Sequence, residues 1–109
     1  MTEEELKART KQFALRVINL VNVLPKSQVG KVLGNQLLRS GTSVGANYRA
    51  ACRARSQADF ISKFGLVEEE ADESLYWMEL IVDSGLVKEK RMRDIMQEAN
   101  ELIAIFTAS

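Results

Sequence analysis

Apolar residues recur every three or four positions in four successive stretches of the chain, a spacing typical of amphipathic α-helices. The first stretch ends at Pro25, which disfavours helix at the preceding residue and has no N–H to donate. The second begins near Ser27 or Gln28 and continues to Ala51. The inward-facing positions expected of these two helices are Leu6, Phe13, Val17, Leu20 and Leu24, followed by Val29, Leu33, Leu37, Val44, Tyr48 and Ala51.

Two further helices are predicted in the second half of the chain. Ser56-Gln57-Ala58-Asp59 resembles an N-terminal capping box, Ser84-Gly85 is a typical C-terminal cap, and the last helix is expected from about Lys88 to Ala108. Their expected inward-facing positions are Phe60, Phe64, Val67, Ala71, Leu75, Met78 and Val82, then Met92, Ile95, Met96, Ala99, Leu102, Ile103 and Phe106. Four helices joined by short turns predict an all-α, antiparallel up-down four-helix bundle that forms one domain over residues 1–109.

The middle of the second helix is rich in small residues. The segment Ser40-Gly41-Thr42-Ser43-Val44-Gly45 contains poor helix formers, so it could separate two short helices. It could also belong to one continuous helix whose small residues let a neighbour approach closely. We favour the continuous helix because the apolar spacing is kept across the segment.

Composition excludes several kinds of chemistry. The chain has 109 residues, 46% of them apolar and 28% charged, which indicates one folded domain and argues against disorder. It contains no histidine, so catalytic dyads and metal sites that need histidine are unavailable, and the lone Cys52 cannot form an internal disulfide. We expect no metal and no cofactor. The charged N-terminal segment and the lack of a long apolar run lead us to expect a cytoplasmic protein without a membrane segment.

Charge is segregated between the second and third predicted helices. Fifteen basic and fifteen acidic residues cancel overall, yet residues 26–55 contain six basic and no acidic residues. Residues 59–83 contain eight acidic residues and one lysine. One interpretation is that oppositely charged helices pair, within one chain or between subunits, which would favour the correct topology. The other is that the basic stripe binds the phosphates of RNA or DNA, with Lys31, Arg39, Arg49, Arg53 and Arg55 as the candidate residues.

The third helix also carries apolar residues away from its main stripe. Leu66, Trp77 and Ile81 are expected on this second face. They could broaden the core of one chain, or they could form an interface between subunits with Trp77 as its anchor. We expect the second arrangement and therefore a homo-oligomer.

A cluster of carboxylates suggests one enzymatic alternative. Glu69, Glu70 and Glu73 have the Glu-Glu-x-x-Glu spacing with which a helix can hold Mg²⁺, as in the all-helical nucleotide pyrophosphohydrolases. Those enzymes also need a Glu-x-x-Asp motif on a facing helix, and this chain offers only Glu98-Ala99-Asn100-Glu101. We therefore expect a protein that is not an enzyme and keep a Mg²⁺-dependent nucleotide hydrolase as the alternative.

Three segments carry a resemblance to a known family. They are residues 36–48 (QLLRSGTSVGANY), residues 59–64 (DFISKF) and residues 68–77 (EEEADESLYW). Together they resemble the bacterial four-helix-bundle family that is also called the S23 or 23S rRNA intervening-sequence protein family. The most specific part is an Arg-Ser-x-x-Ser-x-x-x-Asn core, here Arg39, Ser40, Ser43 and Asn47. The usual family sequence has an acidic residue shortly after this core, where the present chain has Tyr48-Arg49-Ala50.

The resemblance implies a fold and an assembly but no enzymatic activity. Members of this family are up-down four-helix bundles that form ring-like homo-oligomers, so a homopentamer is expected. Some are encoded within insertions in ribosomal RNA genes. Similar bundles accompany the reverse transcriptase of diversity-generating retroelements, where a basic surface engages nucleic acid, so RNA or DNA and a protein partner are the partners implied. Arg39 could contact phosphate, or it could be buried and held by a carboxylate such as Glu69 or Glu70, and we favour the second role.

Overall fold

The computed structural model describes residues 1–108, and the regular structure in this range is entirely helical. Helix α1 covers Glu3–Asn22, α2 covers Gln28–Cys52, α3 covers Gln57–Asp83 and α4 covers Glu89–Ala108. The four predicted helices are confirmed. They pack around one core and form an elongated body of 44 × 23 × 19 Å.

Local capping explains where the helices begin and where α3 ends. The Ser27 hydroxyl accepts a hydrogen bond from the Gly30 N–H, and the Ser56 hydroxyl accepts one from the Asp59 N–H, so each satisfies a donor that the first turn leaves free. Gly85, just beyond α3, has φ +83°, a left-handed conformation that glycine adopts without a steric penalty. The predicted cap positions Ser56 and Gly85 are thus confirmed.

Helix α2 is continuous through its segment of small residues. The Thr42 hydroxyl donates to the Leu38 carbonyl at 2.7 Å, and the Ser43 hydroxyl donates to the Arg39 carbonyl at 2.7 Å. These bonds satisfy the polar side chains within the helix itself. The prediction of one continuous helix is confirmed.

The small residues of α2 lie where α1 approaches it. A Cβ added to Gly41 would lie 2.8 Å from both γ-carbons of Val17, and one added to Gly45 would lie 3.2 Å from the Thr10 hydroxyl. Both glycines are buried. The buried face of α2 is therefore centred on its glycines, and Val29, which the apolar pattern places inward, is 51% exposed instead.

The core is built from all four helices. A hydrogen bond of 2.9 Å, from the Ser74 hydroxyl to that of Ser40, joins α3 to α2 inside it. Ile81 is fully buried, so it does not lie on the outer face that its spacing predicts. Phe60 is 40% exposed rather than buried, since it lies one turn before Phe64 at the end of the core. The buried apolar side chains are Leu6, Phe13, Val17, Leu24, Leu37, Val44, Tyr48, Ala51, Val67, Ala71, Met78, Ile81, Met92, Ile95, Ala99, Leu102 and Phe106.

Candidate nucleic-acid interface

Arg39, the central residue of the predicted basic stripe, is engaged by the acidic helix. Its Nη1 donates to Glu70 Oε2 at 3.0 Å, and its Nη2 donates to Glu73 Oε1. Trp77 Nε1 donates to the same oxygen of Glu73 at 3.2 Å. The charge of Glu70 raises the pKa of Arg39, which keeps the guanidinium charged. Of the two alternatives for Arg39, the structure has the carboxylate pair, formed with Glu70 and Glu73 and not with Glu69. The expected burial is wrong, because half of the Arg39 side chain is exposed. The ion pair joins the basic helix α2 to the acidic helix α3.

Arg49 of α2 and Arg53, directly after α2, lie on a groove between α1 and α2. The groove has a volume of about 680 Å³. The residues that line it are Glu4, Lys7, Ala8, Thr10, Lys11 and Ala14 of α1, with Thr42, Gly45, Ala46 and Arg49 of α2 and Arg53 directly after it. We call this feature the α1/α2 groove.

The basic side chains along the α1/α2 groove differ in their partners. Lys7 pairs with Glu3 at 3.2 Å and with Glu4 at 3.4 Å, and its hydrogen bond to Glu3 raises its pKa. Lys11, Arg49 and Arg53 are exposed and form no ion pair with any residue of the described range 1–108. We call these three residues the groove cations, and their charge is available to an external anion.

The remaining predicted cations, Lys31 and Arg55, lie apart from the groove. Lys31 precedes Arg49 by 18 residues, which is about 27 Å along a helix. It borders a pocket of about 100 Å³ beside the α1–α2 turn, together with Lys26. Arg55 lies in the turn that follows α2, two residues after Arg53. The five predicted residues therefore do not form one continuous site.

Lys11 was not predicted from the sequence because the charge pattern drew attention to α2 alone. Its position one helical turn after Lys7, on the flank of α1 beside Ala14, is the signal that could have indicated it. Only the pairing of α1 with α2 brings it beside Arg49 and Arg53.

A second interhelical ion pair closes α1 onto α4. Arg9 Nε donates to Glu98 Oε2 at 2.8 Å, and its Nη2 donates to Glu98 Oε1 at 2.7 Å and to Glu101 Oε1 at 2.8 Å. The hydrogen bonds that Arg9 donates to Glu98 raise the pKa of Arg9. This forked geometry is the strong form of an arginine–carboxylate pair. It also removes Arg9 from the set of basic residues available to a ligand.

The carboxylates proposed for a magnesium site are used in another way. Glu70 and Glu73 both bind Arg39, and Glu69 lies exposed beside Glu70 in sequence. Within residues 1–108, no three histidine, cysteine or acidic side chains are placed to share a metal ion. The structure gives the nucleotide-hydrolase alternative no support.

The three residues predicted as an oligomer interface differ in their exposure on the single chain. Leu66 is 44% exposed, Trp77 is half-buried with its indole N–H on Glu73, and Ile81 lies in the core. The broad core that was the other interpretation is correct for Ile81, since α3 packs against both α2 and α4.

In the described part of the chain, no helix is long and apolar enough to cross a membrane.

Comparisons with known proteins identify one family. The family described as 23S rRNA-intervening sequence protein matches residues 3–108. A crystal structure of a protein with unknown function from the S23 ribosomal protein family, from Bacteroides thetaiotaomicron VPI-5482, is 35% identical. The match covers 99% of this chain and 96% of the Bacteroides chain, with a TM-score of 0.91. No curated protein matches the chain.

Proposed function

This chain belongs to the 23S rRNA-intervening sequence protein family, and from this premise we propose that it is a non-enzymatic helical bundle that binds nucleic acid at the α1/α2 groove. The groove cations Lys11, Arg49 and Arg53 would contact backbone phosphates. RNA is the first ligand to test because the family description refers to 23S rRNA.

One observation carries the proposal: three exposed cations that form no ion pair within residues 1–108 line the same groove. Elsewhere in the bundle the arginines that face another helix, Arg9 and Arg39, are neutralised by carboxylates. An unpaired cluster of this kind favours a polyanion, because each phosphate that it neutralises releases a condensed counterion. Arginine suits the task, since its fork matches two phosphate oxygens. The protein has no net charge, so the local arrangement must supply the attraction.

A salt series with matched charge reversals tests this proposal. In Arg49→Glu/Arg53→Glu, two groove cations are reversed, and the slope of log affinity against log salt should become less steep by about 0.7 to 0.9 for each phosphate that is no longer neutralised. The control is Lys26→Glu/Lys31→Glu, which makes the same change of charge at the other end of α2, where neither residue has an ion pair in the described range. Binding that both variants weaken equally, or wild-type binding that ignores salt, would contradict the proposal.

Self-association is part of the same proposal. We expect a ring-like homo-oligomer with the mass of about five chains of 12.2 kDa, and light scattering measures this directly. Several large apolar side chains, among them Leu66, Val29 and Val32, are exposed on the single chain and could be covered in an assembly. In a ring, each copy of the groove would add cations to one polyanion, which would multiply a modest affinity. A mass of one chain at all concentrations would refute this part.

The antiparallel up-down order of the helices also belongs to the proposal. Its support comes from contacts between α1 and α2 that run in opposite directions along the two helices. Gly34 lies against Val21, Gly41 against Val17, and Gly45 against Thr10. An up-down bundle with short turns produces this order.

The absence of enzymatic activity is proposed as well. The carboxylates nearest to a metal-binding pattern, Glu70 and Glu73, are bound to Arg39, so they would have to give up this partner to hold a cation. Nucleotide turnover that depends on Mg²⁺ and disappears in Glu70→Gln would overturn this part of the proposal.

A further inference from the structure

The first turn of α3 carries an exposed aromatic ring, and two arginines without ion pairs in the described residues precede it in the chain. Phe60, in the first turn of α3, is 40% exposed although its spacing matches the core positions. Arg53 and Arg55 are exposed just before it and form no ion pair within the described residues. The proposed binding of phosphates by the groove cations does not use Phe60.

The Phe60 ring is supported from one side by other aromatic rings. Its centroid lies 5.3 Å from that of Phe64, with 31° between the ring planes. Phe64 lies edge-on against Phe106 at 5.3 Å, and Phe106 lies 5.8 Å from Tyr48. Phe106 and Tyr48 are buried, so the row of rings is anchored in the core. One side of Phe60 is thereby held in place, and the exposed part of the ring remains free to stack on a flat apolar partner.

The local backbone links Phe60 to the residue that follows Arg55. The Phe60 N–H donates to the Ser56 carbonyl at 2.9 Å, and Ser56 directly follows Arg55. The nearest acidic residue in sequence, Asp59, pairs with Lys63 at 3.4 Å. Within the described residues, Arg53 and Arg55 therefore form no ion pair with the acidic residue next to Phe60.

We propose that Phe60 stacks on an unpaired base of single-stranded nucleic acid while Arg53 and Arg55 bind the adjoining phosphates. This inference rests on the proposed function and gives it a substrate class. Bases of a duplex are stacked on one another and cannot reach a protein ring, whereas bases of a single strand can. An aromatic platform flanked by cations is the usual arrangement for binding a single strand without reading its sequence. Arg53 also borders the α1/α2 groove, so a strand that leaves the groove would meet Phe60 next.

Binding measured by fluorescence anisotropy separates stacking from phosphate contact. The probes are a labelled thymidine oligonucleotide of about 20 nucleotides, an abasic strand of the same length, and the corresponding duplex. Phe60→Leu removes the ring but keeps an apolar side chain, and Phe60→Tyr keeps the ring. Tyr76→Leu is the matched control, because Tyr76 is also an exposed aromatic residue of α3 but lies among acidic residues such as Asp72 and Glu79.

Phe60→Leu should bind the thymidine strand about 5- to 150-fold more weakly, the range expected when one base–aromatic stack is removed. Its affinity for the abasic strand and for the duplex should not change, and Phe60→Tyr and Tyr76→Leu should bind every probe as the wild type does. Equal losses on the thymidine and abasic strands would overturn the inference, as would wild-type affinity in Phe60→Leu. If Lys11→Glu/Arg49→Glu weakens binding while Phe60→Leu does not, the proposed function stands and the stacking inference fails. If the wild type binds none of the probes, both fail.

Discussion

Gly41→Ala tests the close approach of α1 and α2, on which the groove depends. The new Cβ would lie 2.8 Å from both γ-carbons of Val17, where carbon atoms normally stay about 3.5 to 4.0 Å apart. Val17 is fully buried and, as a β-branched residue in a helix, has one strongly preferred rotamer. It cannot turn away, so the two helices would have to separate.

The expected effect is the difference between two opposing terms. Overfilling a packed core costs about 1 to 3 kcal/mol, and the upper half of that range applies because two atoms of Val17 are struck. Alanine in place of glycine inside a helix returns about 1 kcal/mol. We therefore expect Gly41→Ala to lower the free energy of unfolding by about 1 to 2 kcal/mol.

The chain offers a matched control in Gly65→Ala. Gly65 lies inside α3, and a Cβ added there would meet nothing within 4 Å, so only the gain in helix propensity remains. This variant should raise the free energy of unfolding by about 0.5 to 1 kcal/mol. The two variants make the same chemical change with opposite expected signs.

Urea unfolding followed by circular dichroism measures both effects, at one protein concentration because self-association would add to apparent stability. A second test uses the background Val17→Ala, in which the obstructing γ-carbons are gone. There Gly41→Ala should become neutral or stabilising, a coupling that a double-mutant cycle detects. If Gly41→Ala stabilises the wild-type protein as much as Gly65→Ala does, the close packing of α1 on α2 is refuted.

Two further predictions concern polar groups in or near the core. Ser74→Ala removes the buried hydrogen bond to Ser40 and should lower the free energy of unfolding by about 0.5 to 1.5 kcal/mol. In a double-mutant cycle with Ser40→Ala, the double variant should lose less stability than the sum of the two single losses. Strict additivity would show that the bond is not formed. Burial, and then the hydrogen bond of its hydroxyl to Cys52, raises the pKa of Tyr48 above its ordinary value of 10.0. The stability from Tyr48 is therefore fully present below pH 10 and is lost as the pH rises beyond it. In alkaline titrations Tyr48→Phe should lose less stability above pH 10 than the wild type, and identical profiles would contradict this assignment.

Much of the fold could be predicted from the sequence because helix formation is decided by residues close together in the chain. Ser56 and Gly85 act through atoms within four or five residues of themselves, so their capping roles are visible in the sequence. The apolar spacing across Gly41 to Gly45 likewise predicts a continuous α2, which the structure has. The family resemblance carried by residues 36–77 is confirmed by a match over residues 3–108.

The candidate site could be predicted only in part, because it depends on which helix faces of the fold meet. By helical spacing, Arg39, Arg49 and Arg53 share one sector of α2 and of the residue that directly follows it. In the fold, α3 brings Glu70 and Glu73 to Arg39. Helix α1 instead brings Lys11 beside Arg49 and Arg53. A charge pattern along one helix does not contain this division.

By itself, the sequence determined the local features of this protein: four helices, their caps, the family, and the separation of basic from acidic helices. Only the tertiary structure decided which side chains are available to a partner. Ile81 is buried because α3 is covered on two sides. Val29 is exposed because the buried face of α2 is the face that contains its glycines and lies against α1. Phe60 is exposed because it lies beyond the end of the packed core. Periodicity reports the direction in which a side chain points on its own helix, whereas exposure and pairing depend on what a distant part of the chain places opposite it.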